Sequence, residues 1–108
     1  MRDTITIGDK DVTLAATAAT PFLFKKIFGR DFLKESQEDA TNTELYIMLG
    51  FVMTQDPNEI LKGGVKERDF FDWLSQFDYI DIINALPSIV NLYASQKKGA
   101  SIPKNPAD

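Results

Sequence analysis

The sequence contains no cysteine and no histidine among its 108 residues. Without cysteine there is no disulfide bond and no thiolate chemistry, and without either residue the usual ligands of zinc are missing. Without histidine, no imidazole is present to act as a general base near neutral pH. A catalytic or metal site would therefore have to be built from carboxylates, lysine, tyrosine and the hydroxyls of serine and threonine.

Long apolar runs are also absent. The longest, Leu45–Met53, is interrupted by Gly50 and is much shorter than the roughly 20 residues that cross a bilayer. The first residues, Met1–Ile5, do not resemble the apolar region of a signal peptide. We therefore expect a cytoplasmic protein without a membrane partner.

Basic residues are outnumbered, with 12 Lys+Arg against 16 Asp+Glu and a formal net charge of -4. Nucleic-acid-binding domains usually carry a basic footprint, so this balance argues against a nucleic-acid partner. The apolar share of 44% is typical of a globular domain, and a chain of this length forms one modest core. Such a core leaves little room for an enclosed cavity, and we expect no small-molecule substrate and no cofactor.

Alternating polar and apolar residues near the N-terminus predict a β-hairpin over about residues 4–15. Helical signals follow it. Thr20 is predicted to cap the first helix, with Pro21 in its first turn and Gly29 at its end. The segment Leu45–Met53 is apolar nearly all round, which predicts a helix buried on most sides at the centre of the core.

Two further helices are predicted in the second half of the chain. The first runs from Glu67 to Phe77, and the second begins after Asp78 and contains Pro87, which should kink it. An apolar stripe with helical spacing runs along the second helix. Its members are Tyr79, Ile83, Leu86, Val90 and Tyr93, and it is widened by Ile82, Ile89 and Leu92.

The last residues, 97–108, include two prolines, one glycine, three lysines and one aspartate. This composition predicts a disordered basic tail on an acidic body. The predicted fold is therefore mainly α with a small N-terminal β-hairpin (α+β). Residues 1–96 would form a single domain, a compact bundle of about four helices with a kinked C-terminal helix.

The acidic residues do not show the spacing of a known metal site. Five acids lie between Glu67 and Asp81, opposed only by Arg68, but the tight spacing and glycine turn of a calcium loop are missing. Nothing marks any carboxyl as buried in an apolar pocket, which is what a catalytic acid requires. We expect a solvated face or a docking face for a basic partner, no metal ion, and no enzyme.

The last two predicted helices carry more large apolar side chains than a single helix–helix contact can bury. Four aromatic residues lie between Phe70 and Phe77, and they do not all share one helical face. Packing against the hairpin is one interpretation, and a surface for a second copy or a helical partner is the other. The candidate partner-binding residues are Phe70, Trp73, Phe77, Ile82, Ile89, Leu92 and Tyr93.

Three segments together carry a family resemblance. The first is the hairpin with the small-residue run into Ala19–Pro21 and then Phe28–Asp31. The second is Leu45–Met53, and the third is Phe71–Asp78 followed by Asp81–Tyr93 and Ser101–Lys104. In composition and order these segments resemble the tail assembly chaperones of long-tailed bacteriophages and of prophages of Gram-positive bacteria. The likeness spans nearly the whole chain and includes no catalytic signature.

The resemblance implies a protein that is not an enzyme. Such chaperones bind the tape measure protein in the cytoplasm of the infected bacterial host and keep it soluble until the tail tube polymerises around it. They are not found in the mature virion. The implied partners are the tape measure protein, the tail tube protein as a second candidate, and further copies of the same chain.

Two alternatives remain open. The first is a structural head–tail or tail component that stays in the virion. The second is a small nucleic-acid-binding regulator that uses the region Lys25–Lys34. In that region Lys26, Arg30 and Lys34 recur every four residues but have acidic neighbours.

Overall fold

The computed structural model describes residues 2–101 of the chain, with side chains described over residues 2–95. Within this range it is mostly helical with an N-terminal two-stranded hairpin, which confirms the predicted fold class. Six helices are present there rather than about four. In chain order the elements are β1 (Arg2–Ile7), β2 (Lys10–Ala15), α1 (Thr20–Phe28), α2 (Phe32–Glu38), α3 (Thr43–Thr54), α4 (Pro57–Leu61), α5 (Glu67–Leu74) and α6 (Tyr79–Ser101).

The hairpin closes tightly and lies on the helices. Strands β1 and β2 are antiparallel, with Ile7 opposite Lys10, and Gly8 in the turn has a φ of 65°. A side chain at Gly8 would also collide with the carboxylate of Asp81, since its Cβ would lie 2.6 Å from Oδ2. Ile7 and Leu14 are buried beneath the hairpin, where β1 packs on α6 and β2 on α3. This support is needed because two strands alone are marginally stable in water.

The start of α1 differs from the prediction. Ala19 is the N-cap residue, and Thr20 lies inside the first turn. The Thr20 hydroxyl instead accepts a hydrogen bond from the Thr17 backbone N–H at 2.9 Å, because the chain turns just before the helix. The end of α1 is as predicted, with Gly29 in the left-handed conformation at φ 70°.

Helix α2 follows α1 closely and runs from Phe32 to Glu38. Its N-cap is Asp31, whose side chain accepts from the Lys34 N–H at 3.0 Å. Because α1 and α2 are separate helices, Lys26 and Lys34 do not form one continuous basic stripe.

Helix α3 is the centre of the core, as predicted. Asn42 caps it, and eight of its 12 residues are buried, including Gly50. At that glycine α6 approaches closely, so a Cβ at position 50 would lie 2.8 Å from Cδ1 of Ile89. Helices α1, α2, α5 and α6 and strand β2 all pack against α3.

The last two helices have different bounds from those predicted. Helix α5 ends at Leu74 rather than Phe77, and a turn that includes a hydrogen bond from the Phe77 N–H to the Leu74 carbonyl leads to α6. Helix α6 is continuous through Pro87 and extends to Ser101, so the predicted tail begins within it. Residues 102–108 of that tail lie outside the described residues. No described helix has the length and hydrophobicity that spanning a membrane requires.

Candidate protein-binding surface

Four of the seven candidate partner-binding residues lie in the core. The exposed fractions are 2% for Phe70, 1% for Ile82, 1% for Ile89 and 7% for Leu92. The expectation that these four side chains lie on a binding surface is therefore corrected. They stabilise the fold, because the domain needs them to cover α3 and the hairpin.

The other three candidates, Trp73, Phe77 and Tyr93, are partly buried at the edge of the core. The Trp73 ring lies 5.6 Å from the Phe51 ring and 5.2 Å from the Phe77 ring, centroid to centroid. These separations are typical of stabilising aromatic pairs. One side of each aromatic ring is thus used by the core, and part of its surface is left for solvent or a partner.

Tyr93 lies apart from that pair, against α2 and α3. Its ring meets the Phe32 ring edge-on at 5.5 Å. Burial raises the pKa of the Tyr93 hydroxyl, and Tyr46 raises that pKa further. The phenol is therefore neutral at physiological pH, and its surroundings are those of a packed side chain.

A shallow apolar groove lies where the start of α3, the end of α5 and the start of α6 meet. Its volume is about 420 Å³. The groove is lined by Thr43, Glu44, Ile47, Leu74, Phe77, Tyr79 and Ile82. Two of the candidate partner-binding residues, Phe77 and Ile82, are thus brought together in this groove. Ile82 is buried and lies at its floor.

The rim of this groove is acidic. Glu44 lines it and is exposed, and Asp78 is exposed between the lining residues Phe77 and Tyr79. No lysine or arginine lines the groove among the described residues. An apolar floor with carboxylates at its edge suits an apolar helix that carries basic residues beside its contact face.

A second apolar surface runs along the outside of α6. We call Ile80, Ile83, Pro87, Val90 and Ala94 the outer stripe. Ile80 is 64% exposed and Val90 37% exposed. Pro87 is exposed, and the two remaining members are partly exposed.

The outer stripe corrects the predicted orientation of α6. The stripe predicted along this helix contains Tyr79, Ile83 and Val90, of which Tyr79 is 70% exposed. The buried residues are Ile82, Ala85, Ile89 and Leu92. Sequence reasoning saw both sets as one broad apolar surface and did not separate the inner part from the outer part.

Several exposed apolar residues were not among the seven candidates. Ile80 and Phe71 were not chosen, although Phe71 is 53% exposed. The signal that would have found Phe71 was its position beside Phe70 on one short helix, since neighbours in a helix point in different directions. Ile80 would have required knowing which face of α6 is inside.

Two carboxylates outside the groove have local structural partners. Arg30 and Glu35 form an ion pair with Nη2 and Oε1 2.6 Å apart, and this contact lowers the pKa of Glu35. Hydrogen bonds from Thr41 lower the pKa of Asp39. Among the described residues, no three acidic side chains are grouped closely enough to hold a metal ion.

Comparison of the chain with protein-family models, with curated proteins and with solved structures gives no match.

Proposed function

We propose that this chain is a phage tail assembly chaperone that binds the tape measure protein and keeps it soluble until the tail tube polymerises around it. The observation that carries the proposal is the open apolar groove with an acidic rim, formed by a domain whose own core is already filled. The family resemblance of the sequence supplies the identity of the client.

The groove fits one face of an amphipathic helix. Leu74, Phe77 and Tyr79 are apolar residues of its lining, and a client helix would contact them with residues spaced three or four apart. Phe77 and Tyr79 are the natural anchors, because aromatic side chains bury large areas at interfaces.

Adaptability to different client segments would come from these rings. Methionine is the residue most often used for such plasticity, but Met48 and Met53 are 3% exposed and belong to the core. A small groove gives modest affinity for one segment. Many copies bound along one long client would hold it through multivalency.

The proposal extends to location and chemistry. The chain acts in the cytoplasm of the infected host, is absent from the mature virion, and requires no cofactor because it performs no reaction. The acidic rim selects client segments with basic flanks, and the net charge of -4 keeps the free chaperone dispersed.

The test is co-expression of the chain with the tape measure protein, followed by measurement of the soluble fraction of the client. Tyr79→Asp places a charge in the groove at a side chain that is 70% exposed, so the fold is retained. Phe22→Asp is the matched control, since Phe22 is 75% exposed on α1. We expect the client to be lost from the soluble fraction with Tyr79→Asp and retained with Phe22→Asp.

Circular dichroism of both variants establishes that helicity is unchanged. If Tyr79→Asp keeps the client as soluble as the unaltered chain does, the groove is not the client site. Mass spectrometry of purified phage particles adds a separate measurement. The proposal expects the chain to be absent, and its presence would favour a structural tail component.

A further inference from the structure

Strand β1 has a free edge. The sheet in the described part of the chain has two strands, so β1 pairs with β2 along one edge only. A depression of about 440 Å³ lies beside β1, and its lining includes every residue from Arg2 to Thr6 but none from β2. Successive side chains of a strand point to opposite faces, so a depression on one face would be lined by alternate residues. The consecutive lining therefore places this depression at the edge of β1 that faces away from β2.

The register of the hairpin shows which backbone groups reach this edge. Ile7 and Lys10 flank a two-residue turn, and the pair that closes such a turn exchanges backbone hydrogen bonds. Bonded and non-bonded pairs then alternate along the hairpin. The odd-numbered residues of β1 thus bond β2, whereas Arg2, Thr4 and Thr6 direct their N–H and C=O groups into the depression.

This edge is open to a further strand. Within the described residues, the recorded partner of these outward groups is the carboxylate of Asp3, which accepts from the Thr4 N–H at 2.8 Å. Proteins often block a free edge with a bulge or a proline, but the register of β1 has no bulge and its sequence has no proline. The unpaired N–H and C=O groups match the backbone of an extended chain.

The far wall of the depression determines which side chains such a chain can carry. Helix α6 contributes Ser88, Asn91 and Ser95, which are exposed, and Leu92, which is buried. Side chains that face α6 would meet hydroxyl and amide groups at close range, so small polar residues suit those positions. Side chains on the other face would lie beside the exposed threonines of β1, where larger β-formers are favourable.

We propose that β1 binds an extended segment of another polypeptide, which adds antiparallel to β1 as a third strand, with small polar side chains towards α6. Backbone hydrogen bonds would supply the affinity and the alternate side chains the specificity. A folded second copy fits poorly, because its own strands are packed on helices and the depression is bordered by α6. This depression shares no lining residue with the apolar groove, so the inference does not depend on the proposed function.

Nuclear magnetic resonance of the isotope-labelled full chain tests the inference. The probe is a capped peptide with the length of β1, six residues, that alternates tyrosine and serine. We expect the backbone amide signals of Thr4, Thr6 and Asn91 to shift as the peptide is added. No shift up to about 5 mM peptide overturns the proposal, and so do shifts confined to the free edge of β2 at Asp11 and Thr13.

Two altered peptides test the backbone pairing without changing the protein. Residues that bond each other in an antiparallel pair have side chains on the same face, so the tyrosine N–H groups would bond β1 and the serine N–H groups would face solvent. Methylating the tyrosine nitrogens should weaken binding by about tenfold or more, because the donors to β1 are lost. Methylating the serine nitrogens is the matched control and should change binding by about threefold at most. Equal binding of the two methylated peptides overturns the proposal.

Asp3 provides a test on the protein itself. Asp3→Ala removes the carboxylate that occupies the Thr4 N–H, so the peptide should bind about twofold tighter or more. Asp9→Ala is the matched control, since Asp9 is exposed in the hairpin turn and its loss changes the net charge equally. Circular dichroism establishes that both variants fold. Weaker binding by Asp3→Ala than by Asp9→Ala would contradict pairing at this edge.

Discussion

Helices α3 and α6 both carry many apolar side chains, and the fold uses them differently. Eight of the 12 residues of α3 are buried. Between Tyr79 and Ser95, α6 buries only Ile82, Ala85, Ile89 and Leu92. The difference arises because α3 is surrounded by four helices and a strand, whereas α6 packs mainly on α3 and β1. An apolar sequence alone therefore does not distinguish a helix buried in the core from a helix that keeps an exposed apolar face.

The largest loss of stability is expected for a substitution inside α3. Phe51 is 1% exposed and contacts the rings of Phe28, Phe70 and Trp73. Phe51→Ala should lower the free energy of unfolding by about 3–5 kcal/mol, because the lost transfer energy is joined by the energy of a cavity. Urea denaturation measures this loss. A loss below about 1 kcal/mol would contradict the central position given to α3.

Two adjacent residues of α6 test its two faces on the same helix. Ile89 is 1% exposed and Val90 is 37% exposed. Ile89→Ala should destabilise the chain by about 2–5 kcal/mol, and Val90→Ala by about 0.5 kcal/mol or less. Denaturation at low protein concentration keeps self-association out of the measurement. Equal losses would mean that the inner and outer faces have been assigned wrongly.

The contact between the two helices is tested at Gly50. A Cβ at this position would lie 2.8 Å from Cδ1 of Ile89, so Gly50→Val should force the helices apart and lower stability by about 1–3 kcal/mol. Combining it with Ile89→Val removes the methyl group that the new side chain meets. We expect the double variant to lose less unfolding free energy than the two single variants lose together. Strictly additive losses would argue against this contact.

The smallest effect concerns the surface beside α3, where Arg30 binds Glu35 and lies 3.6 Å from the Met48 sulfur. The hydrogen bond from Arg30 lowers the pKa of Glu35 below its ordinary value of 4.5. A lowered pKa in the folded chain means that the ion pair stabilises the fold at neutral pH. That contribution is lost as the pH falls below 4.5 and through the lower, folded pKa.

Glu35→Gln should therefore be slightly less stable than the unaltered chain at pH 7 and indistinguishable from it in acid. Thermal denaturation at a series of pH values between 7 and the acid limit of folding measures the difference. A difference in thermal stability that stays constant over that series would show that the charge of Glu35 does not stabilise the fold.

Much of the fold followed from local signals. The hairpin, the left-handed Gly29 and the buried helix at Leu45–Met53 were predicted because each depends on neighbouring residues alone. The predicted cap at Thr20 failed because a turn with Thr17 uses its hydroxyl. The end of α5 was also misplaced, since the turn after Leu74 provides hydrogen bonds that a longer helix would have made.

The candidate site was predicted less well than the fold. The sequence indicated a surplus of apolar residues over Phe70–Tyr93. The candidate binding residues chosen from it, however, included four that lie in the core. Along α6 the apolar residues cover about two thirds of the circumference, so helical spacing alone allows several orientations towards the core. The groove was also beyond sequence reasoning, since its lining joins the start of α3 to the junction of α5 and α6, which is distant from α3 in the chain.

By itself, the sequence determined the helical class, the N-terminal hairpin, the acidic balance and an excess of apolar side chains over what a small core requires. Periodicity and composition carry this information because each is a property of the chain before it folds. Only the tertiary structure decided which part of that excess is exposed. The position of α6 at the outside of the domain, covered on one side by α3 and β1, left the outer stripe in solvent.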